Sequence, residues 1–158
     1  MKTVNGDILT PVKNPEKEMV VVCQQVNCKG VMGKGLARRI KNRFPRVFEL
    51  YRERCNALGS KNLGKIHLCS CLLSSGYIIA NIFGQDRLGK GKCFTDYNAL
   101  KKAFSSLSHM ENTVIRIPYK MGCGLGGGDW NIVKSLIKSE LVNKGCKVEI
   151  WHKEKVTK

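Results

Sequence analysis

Apolar residues recur along this chain in two alternating rhythms. Runs rich in β-branched and other apolar side chains, closed by turn-forming residues, predict strands at Lys2–Asn5, Met19–Val26, Ile66–Cys71, Tyr77–Phe83, Thr113–Pro118 and Lys147–His152. Between them the apolar spacing is helical. Leu36, Ala37, Ile40 and Phe44 mark a helix over about 33–42, and Val47, Phe48, Tyr51 and Cys55 mark one over about 45–58, with Pro45 in its first turn and Gly59 as its stop. Tyr97, Leu100, Phe104 and Leu107 mark a helix over about 95–108, and Ile132, Val133, Leu136, Ile137 and Leu141 mark a last one that stops near Gly145. Ser74-Ser75-Gly76 joins two strands as a hairpin, which makes the sheet mixed and the class α/β. There is no internal repeat or linker, and only the lysine-rich last few residues are of low complexity.

Two of the strands run into glycine loops. Thr113–Pro118 enters a stretch with glycine at 122, 124, 126, 127 and 128, and Asp129 follows as an N-cap for the final helix. Met19–Val26 enters Asn27-Cys28-Lys29-Gly30-Val31-Met32-Gly33-Lys34-Gly35, which opens the first helix. Phosphate oxygens need several backbone N–H groups at once, and residues without a Cβ let the chain approach and turn to supply them. Two such loops at the carboxyl ends of neighbouring strands suit a diphosphate. Neither loop has the Rossmann spacing or the Walker spacing, so those two nucleotide-binding classes are excluded.

Composition narrows the setting. At 158 residues and 42% hydrophobic, the chain reads as one domain, 1–158, with a sizeable core. No apolar run reaches membrane-spanning length and Met1-Lys2-Thr3-Val4 has no signal-peptide core, so no membrane partner and a cytoplasmic location are expected. The eight cysteines are expected to be reduced, and their spacing matches no structural zinc site. Twenty-eight basic against 12 acidic side chains give +16, which predicts attraction to polyanions and makes nucleic acid a candidate partner for the basic surface. Arg38, Arg39, Lys41 and Arg43 are expected on the outer face of the first helix.

Three blocks in order, Val4-Asn5-Gly6-Asp7-Ile8-Leu9, Val26-Asn27 through Gly35-Leu36-Ala37, and Gly122-Cys123-Gly124-Leu125-Gly126 before Asp129-Trp130, carry a resemblance to the macrodomains, ADP-ribose-binding modules, from Val4 to about Trp151. Within them the chain resembles the branch of DNA and protein-glutamate ADP-ribosyl hydrolases and the yeast-type ADP-ribose-1''-phosphate phosphatase. The resemblance implies a three-layer α/β/α sandwich around a mixed six-stranded sheet, ADP-ribose or an ADP-ribosylated macromolecule as ligand, and neither cofactor nor metal. It implies that Asp7 and the Ile8 N–H select adenine, and that Asn27 bonds the distal ribose. Gly33, Lys34 and Gly35 would line the distal ribose and diphosphate, and Gly122, Cys123, Gly124, Leu125 and Gly126 would bring backbone donors to the diphosphate. Trp151 and His152 compete to cover the adenine, and strand alternation predicts that only one faces the ligand.

The pattern breaks at catalysis. Where the eukaryotic protein-glutamate hydrolases of this branch carry a lysine, the chain has Gly84-Gln85, and where they carry an acid it has Gly126. No catalytic residue is assigned beyond Asn27 as a candidate for orienting the ribose. Cleavage through an oxocarbenium-like state can use a water held by the substrate's own diphosphate, and Asp86, Asp96 and Asp129 are the remaining candidate carboxylates. Cys123 reads as a small space-filler and His67 as structural. Three activities stay open: a hydrolase of ADP-ribosyl groups or of the 1''-phosphate, a non-catalytic ADP-ribose reader, and a basic nucleic-acid-binding protein.

Overall fold

The structure, a computed structural model, describes residues 1–153, so the lysine-rich end at 154–158 lies outside the described residues. Strands β1 (Lys2–Asn5), β2 (Met19–Val26), β3 (Ile66–Cys71), β4 (Tyr77–Phe83), β5 (Thr113–Pro118) and β6 (Lys147–His152) have the expected bounds. They form one sheet in the order β1-β6-β5-β2-β4-β3. Every neighbouring pair is parallel except β3 and β4, which run antiparallel as the hairpin demands. Their connection is a single helical turn, α3 (Leu72–Ser75), closed by Gly76 in the left-handed conformation at φ 76°.

Alternation within the strands sorts side chains onto two faces. Val21, Cys23, Ala80, Ile82, Ile115 and Ile117 meet α4 (Tyr97–Leu107) and α5 (Trp130–Glu140). Val20, Val22, Ile79 and Tyr77 meet α1 (Gly35–Arg43) and α2 (Pro45–Leu58). Strand β2 is buried on both faces, which is why its run reads as continuously apolar and not alternating. Phe104, at 0% exposure in the α4/α5 layer, is the kind of side chain whose truncation to alanine costs about 3–5 kcal/mol. The result is the expected three-layer α/β/α sandwich. Among the described residues no helix is long and apolar enough to cross a membrane.

Two helices start later than their apolar spacing suggests. Lys34 and Asp96 keep extended backbone as N-caps, so α1 and α4 begin at Gly35 and Tyr97. Asp96 accepts from the Ala99 N–H and Asp129 from the Asn131 N–H, each satisfying a donor that the first turn leaves open. Parallel pairing brings the carboxyl ends of β1, β2, β4, β5 and β6 to one edge of the sandwich. The loops that follow them build the site.

Candidate functional site

Two clefts open along that edge, on either side of the start of α1. The first, about 630 Å³, is lined by Gly6, Asp7 and Ile8 after β1, Gly35 and Arg39 of α1, Tyr119 after β5, and Trp151 and His152 at the end of β6. The second, about 410 Å³, is lined by Gln25 and Asn27 at the end of β2, Val31, Gly33 and Lys34 of the first glycine loop, Gln85, Leu88 and Lys90 after β4, and Leu125 of the second glycine loop.

The loop that carries Asp7 is held from below. Arg116, buried on β5, donates to the carbonyls of Ile8 at 3.0 Å and Thr10 at 2.7 Å, and its guanidinium lies 4.5 Å from the centre of the Trp151 ring. Gly6 passes over that ring with φ +153°, a backbone conformation that side-chain-bearing residues rarely adopt. Ile8 is packed in the core, and among the described residues its N–H finds no acceptor. One Asp7 oxygen accepts from the Leu9 N–H, while the other meets Arg39 at 2.5 Å. Burial would raise the Asp7 carboxyl, but the bonds from Arg39 and Leu9 and the charges of Arg39 and Lys153 outweigh it and hold its pKa below the ordinary 3.8.

That pair corrects the expectation for the first helix. Arg38 and Arg43 are exposed as expected, although Arg43 also donates to the carbonyl of Leu9, whereas Arg39 turns to Asp7 and Lys41 lies over the Phe48 ring, both half-buried. The expectation that only one of Trp151 and His152 faces the ligand side also fails, because both line the first cleft. Alternation sorts residues above and below a sheet, whereas this cleft wraps around the end of β6. Trp151 forms its floor against Arg116, and His152 stacks on Tyr119 with centroids 3.9 Å apart and planes 19° apart.

Asn27 lines the second cleft, yet most of its side chain serves its own loop. Its Oδ1 accepts from the Lys29 N–H and the Tyr51 hydroxyl, and its Nδ2 donates to the carbonyl of Val31, which leaves one amide hydrogen for a ligand. Gly33, Lys34 and Gly35 sit between the clefts, and among the described residues none of their N–H groups has an acceptor. The same holds for the N–H groups of Gly122, Gly124, Leu125 and Gly126. Both loops thus carry open backbone donors: Gly35 lines the first cleft, Gly33, Lys34 and Leu125 the second, and Gly124 a shallower hollow with Leu125, Lys90 and Lys92. Cys123 bonds to the carbonyl of Met121, and burial raises its thiol pKa, which disfavours the nucleophilic thiolate.

The second glycine loop is clamped by residues that the sequence reading missed. Gln25 Nε2 donates to Gln85 Oε1 at 2.8 Å and to Thr95 Oγ1 at 2.9 Å, and Thr95 Oγ1 donates on to the carbonyl of Gly122 at 2.7 Å. The Gln25 Oε1 is buried without a partner among the described residues, close beneath Gly84 and Gly122, where any Cβ would strike it. A polar Gln24-Gln25 pair ending an otherwise apolar buried strand was the available signal. The three candidate carboxylates lie outside the linings of both clefts. Asp96 and Asp129 cap helices, and Asp86 accepts from Ser60 and pairs with Lys29 at 3.6 Å.

No family model matches the chain. Its sequence is similar to a DNA ADP-ribosyl transferase-DNA ADP-ribosyl glycohydrolase fusion protein of Thermosipho africanus, 28% identical over 148 residues that cover 84% of this chain and 38% of that protein. A shorter match, 49% identical over 35 residues, covers 22% of this chain and 18% of an ADP-ribose 1''-phosphate phosphatase of Aspergillus clavatus. The chain thus spans well under half the length of these relatives. Among solved structures, the macrodomain of Thermus aquaticus DarG superposes with a TM-score of 0.74 at 25% identity, covering 96% of this chain and 97% of the other. Thermosipho africanus DarTG in complex with ADP-ribose superposes with a TM-score of 0.73 at 21% identity, covering 100% of this chain and 43% of the other. The fold is the macrodomain fold. Within it, the chain resembles the branch that holds the DNA ADP-ribosyl glycohydrolases and the ADP-ribose 1''-phosphate phosphatases.

Proposed function

We propose that this chain, acting as a single domain, binds ADP-ribose along the two clefts and removes ADP-ribosyl groups by hydrolysis. One observation carries the binding: the two glycine loops beside an aromatic cleft and an amide-lined cleft hold backbone N–H groups without acceptors among the described residues, at Gly33, Lys34 and Gly35 and at Gly122, Gly124, Leu125 and Gly126. Adenine lies in the first cleft against Asp7 and the Ile8 N–H, the diphosphate on the glycine loops, and the distal ribose in the second cleft beside Asn27. The Thermosipho protein solved in complex with ADP-ribose shares this fold, which supports ADP-ribose as the ligand.

Hydrolysis is substrate-assisted in this reading. The donors hold the diphosphate, and a diphosphate oxygen orients the water that attacks the anomeric carbon. The amides of Asn27, Gln25 and Gln85 keep the ribose and the loop in place. The leaving group follows from the mouth of the second cleft, where the exposed apolar side chains of Val31, Leu88 and Leu125 stand beside Lys34 and Lys90. Apolar contact flanked by cationic charge suits a nucleobase on a phosphate backbone better than a bare 1''-phosphate. ADP-ribosylated nucleic acid is therefore the substrate we favour. The name of the Thermosipho relative points the same way.

A second reading, a reader that binds and does not cleave, is favoured by the absence of Asp and Glu from the second cleft's lining. Calorimetric titration with ADP-ribose, with AMP as control and a Gly124→Glu variant alongside, tests the site. Saturable ADP-ribose binding that Gly124→Glu abolishes supports it, and absence of binding overturns it. Incubation with an ADP-ribosylated oligonucleotide and with ADP-ribose-1''-phosphate then separates the readings. Release of ADP-ribose from the oligonucleotide supports the glycohydrolase, phosphate release the phosphatase, and no turnover of either the reader.

A further inference from the structure

Strand β3 ends the sheet and pairs on one side only, with β4. The Phe83 N–H donates to the carbonyl of Lys65, and the register sets Ile66 against Ile82, so the rungs of this antiparallel pair fall on the odd-numbered residues of β3. The N–H and C=O groups of Ile66, Leu68 and Ser70 therefore point away from the sheet, and among the described residues no backbone hydrogen bond from outside the strands reaches them. Such an edge is a template for another strand, and proteins usually blunt it with proline, a bulge or a charge inside the strand. Strand β3 has none of these, for its register is unbroken and its sequence is Ile-His-Leu-Cys-Ser-Cys. Burial and the charge of Arg54 lower the His67 pKa, so that side chain is neutral at pH 7. The opposite edge, β1, is shorter and begins with Lys2.

Two features flank the open rungs. Toward the end of β3, Leu68 is 43% exposed, Leu72 44%, and Leu73 fully exposed. At its start the charge is of one sign. Lys65 is exposed, Lys102 of α4 lies against Gly64 on one face of the sheet, and on the other Arg54 of α2 stands 5.9 Å from the centre of the Phe83 ring, opposite Lys65. Residues 54–85 contain no Asp or Glu. A second copy of the chain would set +16 against +16. The lysine-rich end follows β6, which β5, β2 and β4 separate from this edge, and it repeats the same charge. A nucleic acid matches the charge but has no N–H and C=O ladder to pair with β3.

We propose that β3 is a docking edge for an extended acidic segment of a partner protein, which adds as a strand antiparallel to β3. Backbone pairing at Ile66, Leu68 and Ser70 continues the sheet. Apolar side chains at the start of the segment lie on Leu68, Leu72 and Leu73, and carboxylates at its end meet Lys65, Lys102 and Arg54. No residue of β3 or α3 lines either cleft, so the edge stays reachable whatever the clefts hold.

The test is fluorescence anisotropy of a labelled peptide, acetyl-Leu-Val-Val-Thr-Val-Asp-Glu-Glu-amide, titrated with the full chain, beside the same peptide with lysine in place of its acidic residues. Saturable binding of the acidic peptide, weakened by added salt and absent for the lysine peptide, is expected. Leu68→Pro removes an N–H that β4 does not use, a change that an edge strand tolerates, and is expected to weaken binding by about tenfold or more. Should thermal melting show that Leu68→Pro does not fold, hydrogen exchange on the unaltered chain reads the same contact, with slower exchange at Leu68 and Ser70 when the acidic peptide is present. No saturable binding, equal binding of the lysine peptide, full binding to a folded Leu68→Pro variant, or unchanged exchange at Leu68 and Ser70 would each overturn the proposal. A dimer in analytical ultracentrifugation that Leu68→Pro abolishes would overturn it in favour of a second copy at this edge.

Discussion

Thr95 Oγ1 donates a 2.7 Å hydrogen bond to the carbonyl of Gly122, and through it the segment after β4 grips the glycine loop after β5. The neighbouring N–H groups of Phe94 and Thr95 both donate to the carbonyl of Gly126. The Thr95 hydroxyl also accepts from Gln25, so one atom links two loops to the end of β2. Thr95→Val keeps the shape and removes that atom. Urea denaturation is expected to show a loss of about 1–2 kcal/mol, and calorimetry a weakened affinity for ADP-ribose, because the donors of the loop lose their alignment.

Glycines in this loop separate into two kinds. A Cβ at Gly124 would meet nothing within 4 Å, whereas Gly127 has φ +69° and its Cβ would collide with the carbonyl of Lys92. Gly124→Glu is expected to fold with a melting temperature close to the parent and to lose ADP-ribose binding. Gly127→Ala is expected to lose stability, since both the backbone conformation and the space resist a side chain. A melting curve and a titration for each variant check the contrast.

Arg116 joins the loop after β1 to the sheet by two charged hydrogen bonds to the carbonyls of Ile8 and Thr10. Arg116→Met would leave both carbonyls without their donor and is expected to destabilise the fold by about 2–3 kcal/mol in denaturant titration. Both bonds come from one nitrogen, Nη1, so Arg116→Lys, whose ammonium has three donors, is expected to recover part of the loss.

The lowered pKa of Asp7 links stability to pH. With the folded value below the unfolded one, its contribution is present above the unfolded pKa and is lost as pH falls through the folded pKa. Asp7→Asn is therefore expected to flatten the decline of stability below about pH 4 while leaving the curve above pH 5 parallel to the parent's. The change is expected to be a fraction of 1 kcal/mol, because solvent screens a half-exposed pair. Denaturation midpoints between pH 3 and 7 check it.

Thiol reactivity maps onto the layers. All eight cysteines are free, Cys93 is exposed, and Cys23 lies in the core where burial pushes its thiol up to about 12. Alkylation of the native protein followed by peptide mass spectrometry is expected to label Cys93 first and Cys23 only after unfolding.

The strands and most helix bounds could be read from the chain because periodicity is a local property, set by which side chains share a face over a few residues. The six apolar runs carried that information, and so did the glycines that open the two loops after β2 and β5. Helix starts were less accurate for an equally local reason, since Lys34 and Asp96 take extended backbone as caps and not helical backbone. The resemblance of three short blocks supplied the expected ligand and the expected place of each part of it.

What the sequence determined by itself was therefore the order and nature of the elements, the mixed sheet, and the glycine loops at the carboxyl ends of strands. Only the tertiary structure decided which partners the polar groups take. Asp7 meets Arg39 across 32 residues, Arg116 reaches the carbonyl of Ile8 across 108, and Gln25 finds Thr95 across 70. Asn27 turns most of its amide inward because Tyr51, from a helix 24 residues on, supplies the hydroxyl that meets it. Hydrogen bonds are short-ranged and directional, so such pairings exist only once the packed layers bring donor and acceptor to within about 3 Å, and no periodicity along the chain encodes that meeting.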